Sequence, residues 1–229
     1  AEEQPAKMAA AEALCSTESG AGFTVAAFGD CDSGVTRIAS VPNVYSFMAT
    51  NDPNARVMGL DDAQAMYEQR YGAGVDYTPD VATTFWSFRL MIGLGVLSLL
   101  IGAVGLWLIR KDRLITSPRL GRIALWTLPL PFLASTFGWI FTEMGRQPWV
   151  VAPNLADPVA QVYMLTSDGV STVVSSPTVL ASMVLFTLLY AALGIIWFVL
   201  VRRYVREGVR TQTEESVELV GRAASRRAP

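Results

Sequence analysis

The sequence predicts an all-α membrane protein, in which three transmembrane helices form part of a larger helical bundle and follow a long extracytoplasmic loop. Hydrophobic residues make up 52% of the 229 residues and charged residues only 17%, which is too little charge to cover the surface of a water-soluble domain of this length. Three apolar stretches approach or exceed the roughly 20 residues that a helix needs to cross a bilayer. Lys and Arg are also distributed unevenly among the segments that join these stretches.

The three predicted transmembrane helices cover residues 82–110, 123–143 and 178–201. Trp and Tyr residues near several of their ends suit the two membrane interfaces. In the second helix, Pro129 and Pro131 each remove a backbone hydrogen-bond donor, which predicts a kink in its inner half. A buried bundle in a water-soluble protein is the alternative interpretation of these stretches.

The positions of Lys and Arg predict the orientation. Segments 111–122 and 202–229 are rich in basic residues, whereas segment 144–177 contains a single basic residue, Arg146. Segment 1–81 holds four basic residues against twelve acidic ones. Because short loops rich in Lys and Arg stay in the cytoplasm, we expect the first two of these segments to be cytoplasmic and the other two to lie outside.

Segment 1–81 begins outside the membrane by this prediction, yet no earlier apolar stretch could have exported it. We therefore expect the chain to be the C-terminal part of a longer polypeptide, and a cleaved signal peptide would produce the same start. Within this segment, the sequence predicts helices over residues 1–14 and 60–71. The intervening stretch 16–40 is predicted to be a loop with short extended pieces, such as Phe23–Phe28.

Both cysteines, Cys15 and Cys31, lie in the outer segment, where a disulfide can form and persist. Closing a loop of this size would stabilise the fold by about 3 kcal/mol in the chain-entropy model. Two free thiols are the alternative, and a metal site of two cysteines without histidine is disfavoured. The chain contains no His, so the commonest general base and metal ligand is absent from it.

Polar and potential metal-ligating side chains cluster towards the outer ends of the first two predicted helices. The first helix carries Arg89 and Met91, and the second carries Glu143, which is followed by Arg146. Antiparallel helices would place both clusters in one layer, and Trp139 has the spacing to share a helix face with Glu143. An ordinary ion pair between Glu143 and Arg146, and simple packing by Met91, are the structural alternatives.

Gly95 lies four residues after Met91 and leaves space on the same face, where a flat macrocycle could approach the helix. A thioether is a known axial ligand of haem iron. Arg89 lies on roughly the opposite face, from which it could extend towards the membrane surface or meet a propionate.

Three motifs resemble subunit I of cytochrome bd quinol oxidase. They are QPAKMAAAEAL at Gln4–Leu14, FWSFRLMIGLG at Phe85–Gly95, and the pair Gly138-Trp139 followed by Glu143 and GRQPW at Gly145–Trp149. The motifs occur in the family's order and on the predicted side of the membrane. The resemblance covers nearly all of this chain but only the C-terminal half of the family's subunit I, and residues 16–80 and those beyond 210 are less diagnostic.

The resemblance implies an enzyme that oxidises quinol and reduces dioxygen to water with haem b558, haem b595 and haem d. Residues 1–81 would be its quinol-binding loop, in which Lys7 and Glu12 match residues implicated in quinol oxidation. Glu12 could accept a proton outside the membrane, and Lys7 could donate a hydrogen bond to a quinone oxygen or orient that carboxylate. A solvated helix with a Glu3–Lys7 pair is the alternative for this segment.

The resemblance also implies four cofactor-binding residues and one route for electrons. Met91 matches an axial ligand of haem b558, and Arg89 matches the arginine beside that haem. Glu143 matches the carboxylate that ligates the iron of haem b595 or haem d, and Arg146 matches an arginine near its propionates. Trp139 matches a tryptophan that lies between haems.

The implied location is a bacterial plasma membrane, crossed several times. The implied partners are the N-terminal half of subunit I, which carries the missing histidine ligands, a homologous second subunit, a small single-span subunit in some assemblies, quinol, dioxygen and the lipid bilayer, with no nucleic acid. Two other classes of function remain open from the residues alone. One is a transporter fragment with Glu143 and Arg146 on an ion path, and the other is a haem-free membrane adaptor whose outer loop docks a partner.

Overall fold

The computed structural model describes residues 3–110, 117–155 and 162–207, and it is mostly helical. The chain divides into two compact units, residues 1–170 and residues 171–229. The first unit contains segment 1–81, called the outer loop after its predicted position, and two of the three long apolar helices. The second contains the third helix.

The outer loop folds into short helices and strands rather than an irregular segment. Its helices are α1 (Pro5–Ala11), α2 (Val44–Thr50) and α3 (Leu60–Tyr71). Strand β1 (Glu18–Ser19) pairs antiparallel with β4 (Arg56–Val57), and β2 (Phe23–Phe28) pairs antiparallel with β3 (Thr36–Val41). The predicted helix 60–71 and the extended Phe23–Phe28 are therefore confirmed, whereas the predicted helix 1–14 is shorter.

Alanine side chains let α1 pack closely against the rest of the loop. Pro5 occupies the first turn of α1, where its missing N–H breaks no helical hydrogen bond. Ala6 and Ala9–Ala11 are all buried. Gly59 meets the segment after α1 so closely that a Cβ would lie 2.4 Å from the carbonyl carbon of Ser16. Only a residue without a side chain fits at that contact.

A disulfide joins Cys15 and Cys31. It links the segment that follows α1 to the turn between β2 and β3. The described cysteines are therefore both bonded, and none is free. The link closes a ring that begins just after α1 and contains β1 and β2.

Among the described residues, three helices are long and apolar enough to cross a membrane. The first is α4 (Val81–Ile109), whose first turn is capped by Asp80 Oδ2, which accepts a hydrogen bond from the Thr83 N–H at 2.7 Å. The second consists of α5 (Pro118–Thr127) and α6 (Leu130–Met144). A turn at residues 128–129 separates these two helices, in agreement with the predicted effect of Pro129.

The third long helix is α7 (Ser176–Glu207), which extends beyond the predicted range 178–201 at both ends. Residues 111–116 of the predicted cytoplasmic link and residues 208–229 of the predicted tail lie outside the described part of the chain. A two-stranded sheet of β5 (Trp149–Val151) and β6 (Met164–Leu165) follows α6.

Helices α4 and α6 pack side by side and run antiparallel. The rings of Phe88 and Phe141 lie 4.7 Å apart, and Met91 Sδ lies 3.0 Å from the place where a Cβ on Gly138 would stand. A later residue of α4 therefore faces an earlier residue of α6, as expected for antiparallel helices. Met91 is level with Gly138, five residues before Glu143, which corresponds to about 7.5 Å along the helix axis.

Candidate functional site

A buried ion pair attaches the outer loop to α4. Glu12 Oε2 accepts hydrogen bonds from Arg89 Nη2 at 2.6 Å and from the Thr24 N–H at 3.0 Å. The two side chains are only 3% and 8% exposed. Because 77 residues separate the partners, this contact is one that only the folded chain can make.

Three aromatic rings surround the guanidinium of Arg89. Its carbon lies 4.1 Å from the ring centroid of Phe23, 4.5 Å from that of Phe85 and 5.2 Å from that of Phe88. Such cation–π contacts partly replace the water that burial removes. Its Nη1 atom is nevertheless buried without a hydrogen-bond acceptor among the described residues.

The surroundings of Glu12 have opposite effects on its proton affinity. Burial raises the pKa of the Glu12 carboxyl, and this effect outweighs the lowering by the Arg89 guanidinium and by the hydrogen bond from Thr24. Burial likewise raises the pKa of the neighbouring Tyr45. A carboxyl group with a raised pKa can bind and release a proton closer to neutral pH than an exposed glutamate can.

Lys7 faces a different helix. Its ammonium nitrogen lies 4.8 Å from the ring centroid of Phe141, and its Cγ lies 3.1 Å from the place where a Cβ on Gly145 would stand. Burial lowers the pKa of Lys7, Arg146 lowers it further, and Glu143 acts in the opposite direction. Helix α1 therefore bridges α4 and α6, and in the described structure Lys7 contacts the end of α6 instead of orienting Glu12.

A second ion pair lies at the end of α6. Glu143 Oε2 accepts a hydrogen bond from Arg146 Nη2 at 2.6 Å, as the spacing of the two residues predicts. Their side chains are 36% and 41% exposed. The other carboxylate oxygen of Glu143 makes no hydrogen bond within the described residues, so it is available to an external ligand.

The remaining predicted residues of this layer border an open surface. Met91 is half-buried beside Gly138, while Gly95 is exposed and nothing occupies the space where its Cβ would stand. Trp139 is 68% exposed, and it precedes Glu143 by one helical turn. This surface leaves room for a group that belongs to neither helix.

An aromatic cluster beside Lys7 was not predicted from the sequence. Trp149 is 4% exposed and stacks on Tyr77 with ring centroids 5.3 Å apart and an angle of 13° between the rings. Tyr67, Tyr71 and Tyr163 complete the cluster, and burial raises the pKa of Tyr67 to about 12. Trp149 is the only residue of this cluster that belongs to one of the motifs. The tyrosines come from other parts of the sequence, so no local pattern indicated that they would meet.

Comparison with known proteins identifies the family. The model of the family described as cytochrome bd terminal oxidase subunit I matches residues 1–209. The chain belongs to this family. The predicted family and the mostly helical membrane architecture are thus confirmed.

Relatives in this family cover most of the chain. Cytochrome bd ubiquinol oxidase subunit 1 of Bacillus subtilis (strain 168) is 37% identical over 219 residues, which are 94% of this chain and 44% of that protein. A putative cytochrome bd menaquinol oxidase subunit I of the same organism is 31% identical over 197 residues, 84% of this chain and 39% of that protein. Cytochrome bd-II ubiquinol oxidase subunit 1 of Escherichia coli (strain K12) is 39% identical over 90 residues, 39% of this chain and 18% of that protein.

A solved structure shares the fold. The bd oxidase from Geobacillus thermodenitrificans superposes with a TM-score of 0.67 at 29% identity, over 91% of this chain and 43% of that one. The chain therefore spans less than half the length of the relatives that it matches along most of its sequence.

Membership of the cytochrome bd family implies haem cofactors, and the described residues fit such a group. Arg89 Nη1 and Arg146 Nε are buried donors that find no acceptor in the described part of the chain, and a propionate is an acceptor that pairs well with guanidinium groups. The thioether of Met91 and the partly free carboxylate of Glu143 are potential iron ligands beside an open surface. Arg89 and Met91 lie on α4, whereas Glu143 and Arg146 lie at and just after the end of α6.

Proposed function

We propose that this chain forms the C-terminal part of the haem-bearing subunit of a quinol:oxygen oxidoreductase of the cytochrome bd type. When bound, haems b558 and b595 carry electrons to haem d, where dioxygen is reduced to water. Family membership and the names of the two Bacillus relatives support this proposal. Activity requires the rest of subunit I and its partner subunit, because the chain spans under half of those relatives.

The observation that carries this proposal is the buried contact between Glu12 and Arg89. It holds the carboxylate of Glu12 against α4 at Arg89, which lies two residues before the candidate iron ligand Met91. A quinol that gives up two electrons also gives up two protons, so it needs a proton acceptor close to the electron acceptor. Burial raises the pKa of Glu12, which suits this residue to that task.

Each residue near the loop has a distinct role in the proposed reaction. Glu12 accepts a proton from a quinol hydroxyl and releases it to the outer side. Arg89 holds Glu12 in place through its ion pair. Lys7 brings positive charge to the space between α1 and the end of α6, from which it can donate a hydrogen bond to a quinol oxygen.

The residues deeper in the layer would hold the cofactors. Met91 would provide the thioether ligand for the iron of haem b558. Glu143 would provide the carboxylate ligand for the iron of haem b595 or haem d. Arg89 and Arg146 would pair with propionates, and the exposed ring of Trp139 would serve electron transfer between haems.

The proposed orientation places the loop outside the bacterial plasma membrane and the C-terminus in the cytoplasm. Two quinols then supply four electrons and release four protons outside, and one dioxygen consumes four protons from the cytoplasm to form two waters. This arrangement generates a membrane potential without a proton pump. The proposed partners are the N-terminal half of subunit I, the second subunit and, in some assemblies, a small single-span subunit.

The test uses the complete oxidase complex, purified with its native subunits. We expect a visible spectrum with reduced haem bands, of which Met91→Leu alters the low-spin band and Glu143→Gln alters a high-spin band. Glu12→Ala should leave the spectrum intact but slow quinol-driven oxygen uptake by about 10²–10⁴-fold, the usual contribution of a positioned acid or base. The control is Glu18→Ala, which changes an exposed carboxylate of the same loop.

A wild-type complex without bound haem would overturn the proposal and favour a transporter fragment or a haem-free adaptor. Wild-type oxygen uptake in both Glu12→Ala and Met91→Leu would show that the assigned residues are wrong. Equal losses in Glu12→Ala and Glu18→Ala would indicate a general effect on the loop rather than proton transfer.

A further inference from the structure

A small cavity separates α1 from the turn that follows α6. Its volume is about 10 Å³, and its lining includes Lys7, Arg146, Gln147 and Trp149. A volume of this size accommodates about one oxygen atom of a water or of a larger group. The cavity is therefore too small for a ring and large enough for one polar atom.

The walls of this cavity are fixed by the backbone. The Trp149 N–H donates to the carbonyl oxygen of Arg146 at 2.9 Å, and the Thr166 N–H donates to the carbonyl oxygen of Pro148 at 2.8 Å. Thr166 Oγ1 also donates to Gln147 Oε1 at 2.8 Å. These contacts hold Arg146 and Trp149 as a preformed pair.

Both members of the pair carry a buried donor that has no acceptor. Within residues 3–110, 117–155 and 162–207, Arg146 Nε and the indole Nε1 of Trp149 make no hydrogen bond. An unsatisfied buried donor costs roughly 1–3 kcal/mol, and most such groups in folded proteins find a partner. Both residues line the same cavity, which favours an acceptor inside it that pairs with both donors.

The charge around the cavity favours an anion. Lys7 and Arg146 contribute two positive charges, and Glu143, which pairs with Arg146, contributes one negative charge. If Glu143 binds iron, its charge is directed to the metal and the two cations need another counterion. A carboxylate oxygen satisfies both the charge and the two donors.

We propose that the indole N–H of Trp149 and the Nε–H of Arg146 together bind one carboxylate, a propionate of the haem whose iron Glu143 ligates. This inference rests on the proposed function and adds Trp149 to the cofactor-binding residues. The stacked ring of Tyr77 holds the indole in the required orientation. Trp149 thus positions the haem without contacting its iron.

The principal test is Trp149→Phe in the complete oxidase complex, because phenylalanine keeps an aromatic ring against Tyr77 and removes the N–H. A second variant carries benzothienylalanine at position 149, which keeps the shape of tryptophan and replaces the N–H by sulfur. Trp86→Phe is the matched control, since Trp86 contacts only the rings of Phe28 and Phe85 among the described aromatic contacts.

We expect both variants at position 149 to bind haem and to shift the midpoint potential of the Glu143-ligated haem to more negative values. Loss of a donor leaves more negative charge on the propionate, which favours the oxidised haem. The reduction equilibrium should change by up to tenfold, or about 59 mV for one electron. The propionate bending band in the resonance Raman spectrum should shift as well, and Trp86→Phe should change neither quantity.

Three results would overturn this inference. Unchanged potential and Raman bands in both variants would mean that the acceptor is a water or that the indole N–H faces a tyrosine ring. A raised KM for quinol with unchanged haem would assign the acceptor to a quinone oxygen. Equal shifts in Trp86→Phe would show a non-specific effect, whereas a wild-type complex without haem would refute the proposed function itself.

Discussion

Two ion pairs have the same length and different surroundings. Glu12 and Arg89 are 2.6 Å apart and almost completely buried, while Glu143 and Arg146 are 2.6 Å apart and more than one-third exposed. The first joins the outer loop to α4 across 77 residues, and the second joins neighbours three positions apart at the end of α6. Distance alone therefore does not reveal what an ion pair contributes.

The difference in burial indicates different roles for the two ion pairs. The buried pair stabilises the packing of the loop, whereas the exposed pair leaves its carboxylate accessible to a ligand. Breaking a buried pair leaves an uncompensated charge, so Glu12–Arg89 should determine how the loop sits on α4. An exposed pair adds little to stability, and Glu143 retains a carboxylate oxygen for another ligand. The buried pair thus organises the proposed quinol site, and the exposed pair leaves a potential metal ligand accessible.

The largest expected effect is that of Arg89→Leu. It leaves Glu12 buried without its cation and should destabilise the loop by about 3–5 kcal/mol. The measurement is native-state proteolysis of the loop in the assembled complex. The control is Arg37→Leu, which removes a partly exposed pair with Glu18 and should cost no more than about 1 kcal/mol.

A variant that removes both charges of the buried pair makes this test more specific. The double variant Glu12→Gln/Arg89→Leu removes both buried charges, so the loop should recover part of the stability that Arg89→Leu loses. If Arg37→Leu and Arg89→Leu were equally destabilising, burial would not distinguish these pairs.

The next largest effect concerns the disulfide. Cys15→Ser/Cys31→Ser removes a link between residues 16 positions apart, and it should lower the free energy of unfolding of the loop by about 3 kcal/mol. We expect faster proteolysis between β2 and β3, measured on the complex. Unchanged cleavage rates would mean that packing around α1 alone holds this region.

The pH dependence of loop stability tests the environment of Glu12. Burial opposes the ionised form of Glu12, whereas Arg89, the hydrogen bond from Thr24 and Arg37 favour it. Because the folded pKa is raised, the folded loop binds more protons between the unfolded and folded pKa values, so the free energy of unfolding should rise as the pH falls through this window. The measurement is proteolysis at several pH values, with Glu12→Gln as the control that lacks this titration.

The sign of that slope decides between two descriptions of Glu12. A free energy of unfolding that falls as the pH is lowered would mean that Arg89 holds the folded pKa below its ordinary value. The carboxylate would then be a fixed anion rather than a proton acceptor.

The smallest expected effect is that of Arg146→Gln on stability. Both partners of this pair are more than one-third exposed, so the loss should stay below about 1 kcal/mol. The measurement is again proteolysis of the loop, with Arg203→Gln on α7 as a control from another exposed pair. A loss as large as that of Arg89→Leu would remove the contrast between the two pairs.

Local patterns in the sequence were sufficient to predict the apolar helices and part of the secondary structure of the outer loop. The length of each apolar stretch predicts α4 and α7, and Pro129 predicts the break before α6, because proline removes a backbone donor. Leu60–Tyr71 forms the predicted helix. Helix α2 and strands β3–β6 were not predicted, because their short segments depend on pairing partners that are distant in the sequence.

The candidate site was only partly predictable, since its contacts join separate segments. The motifs identified Glu12 and Arg89 individually, and nothing in their spacing indicates that they form an ion pair. Lys7 was expected to act near Glu12, yet its stem packs on Gly145 at the other helix. The tyrosines around Trp149 have no local signal, because each comes from a different stretch of chain.

The sequence by itself determined the family, the membrane-spanning helices and the types of side chain available for chemistry, because hydropathy and motifs are local properties. Only the tertiary structure decided which carboxylate is buried with an arginine, which one stays accessible, and which donors lack an acceptor. The physical reason is that burial and pairing depend on the atoms that folding brings together. Two glutamates of identical chemistry therefore acquire different environments in one folded chain.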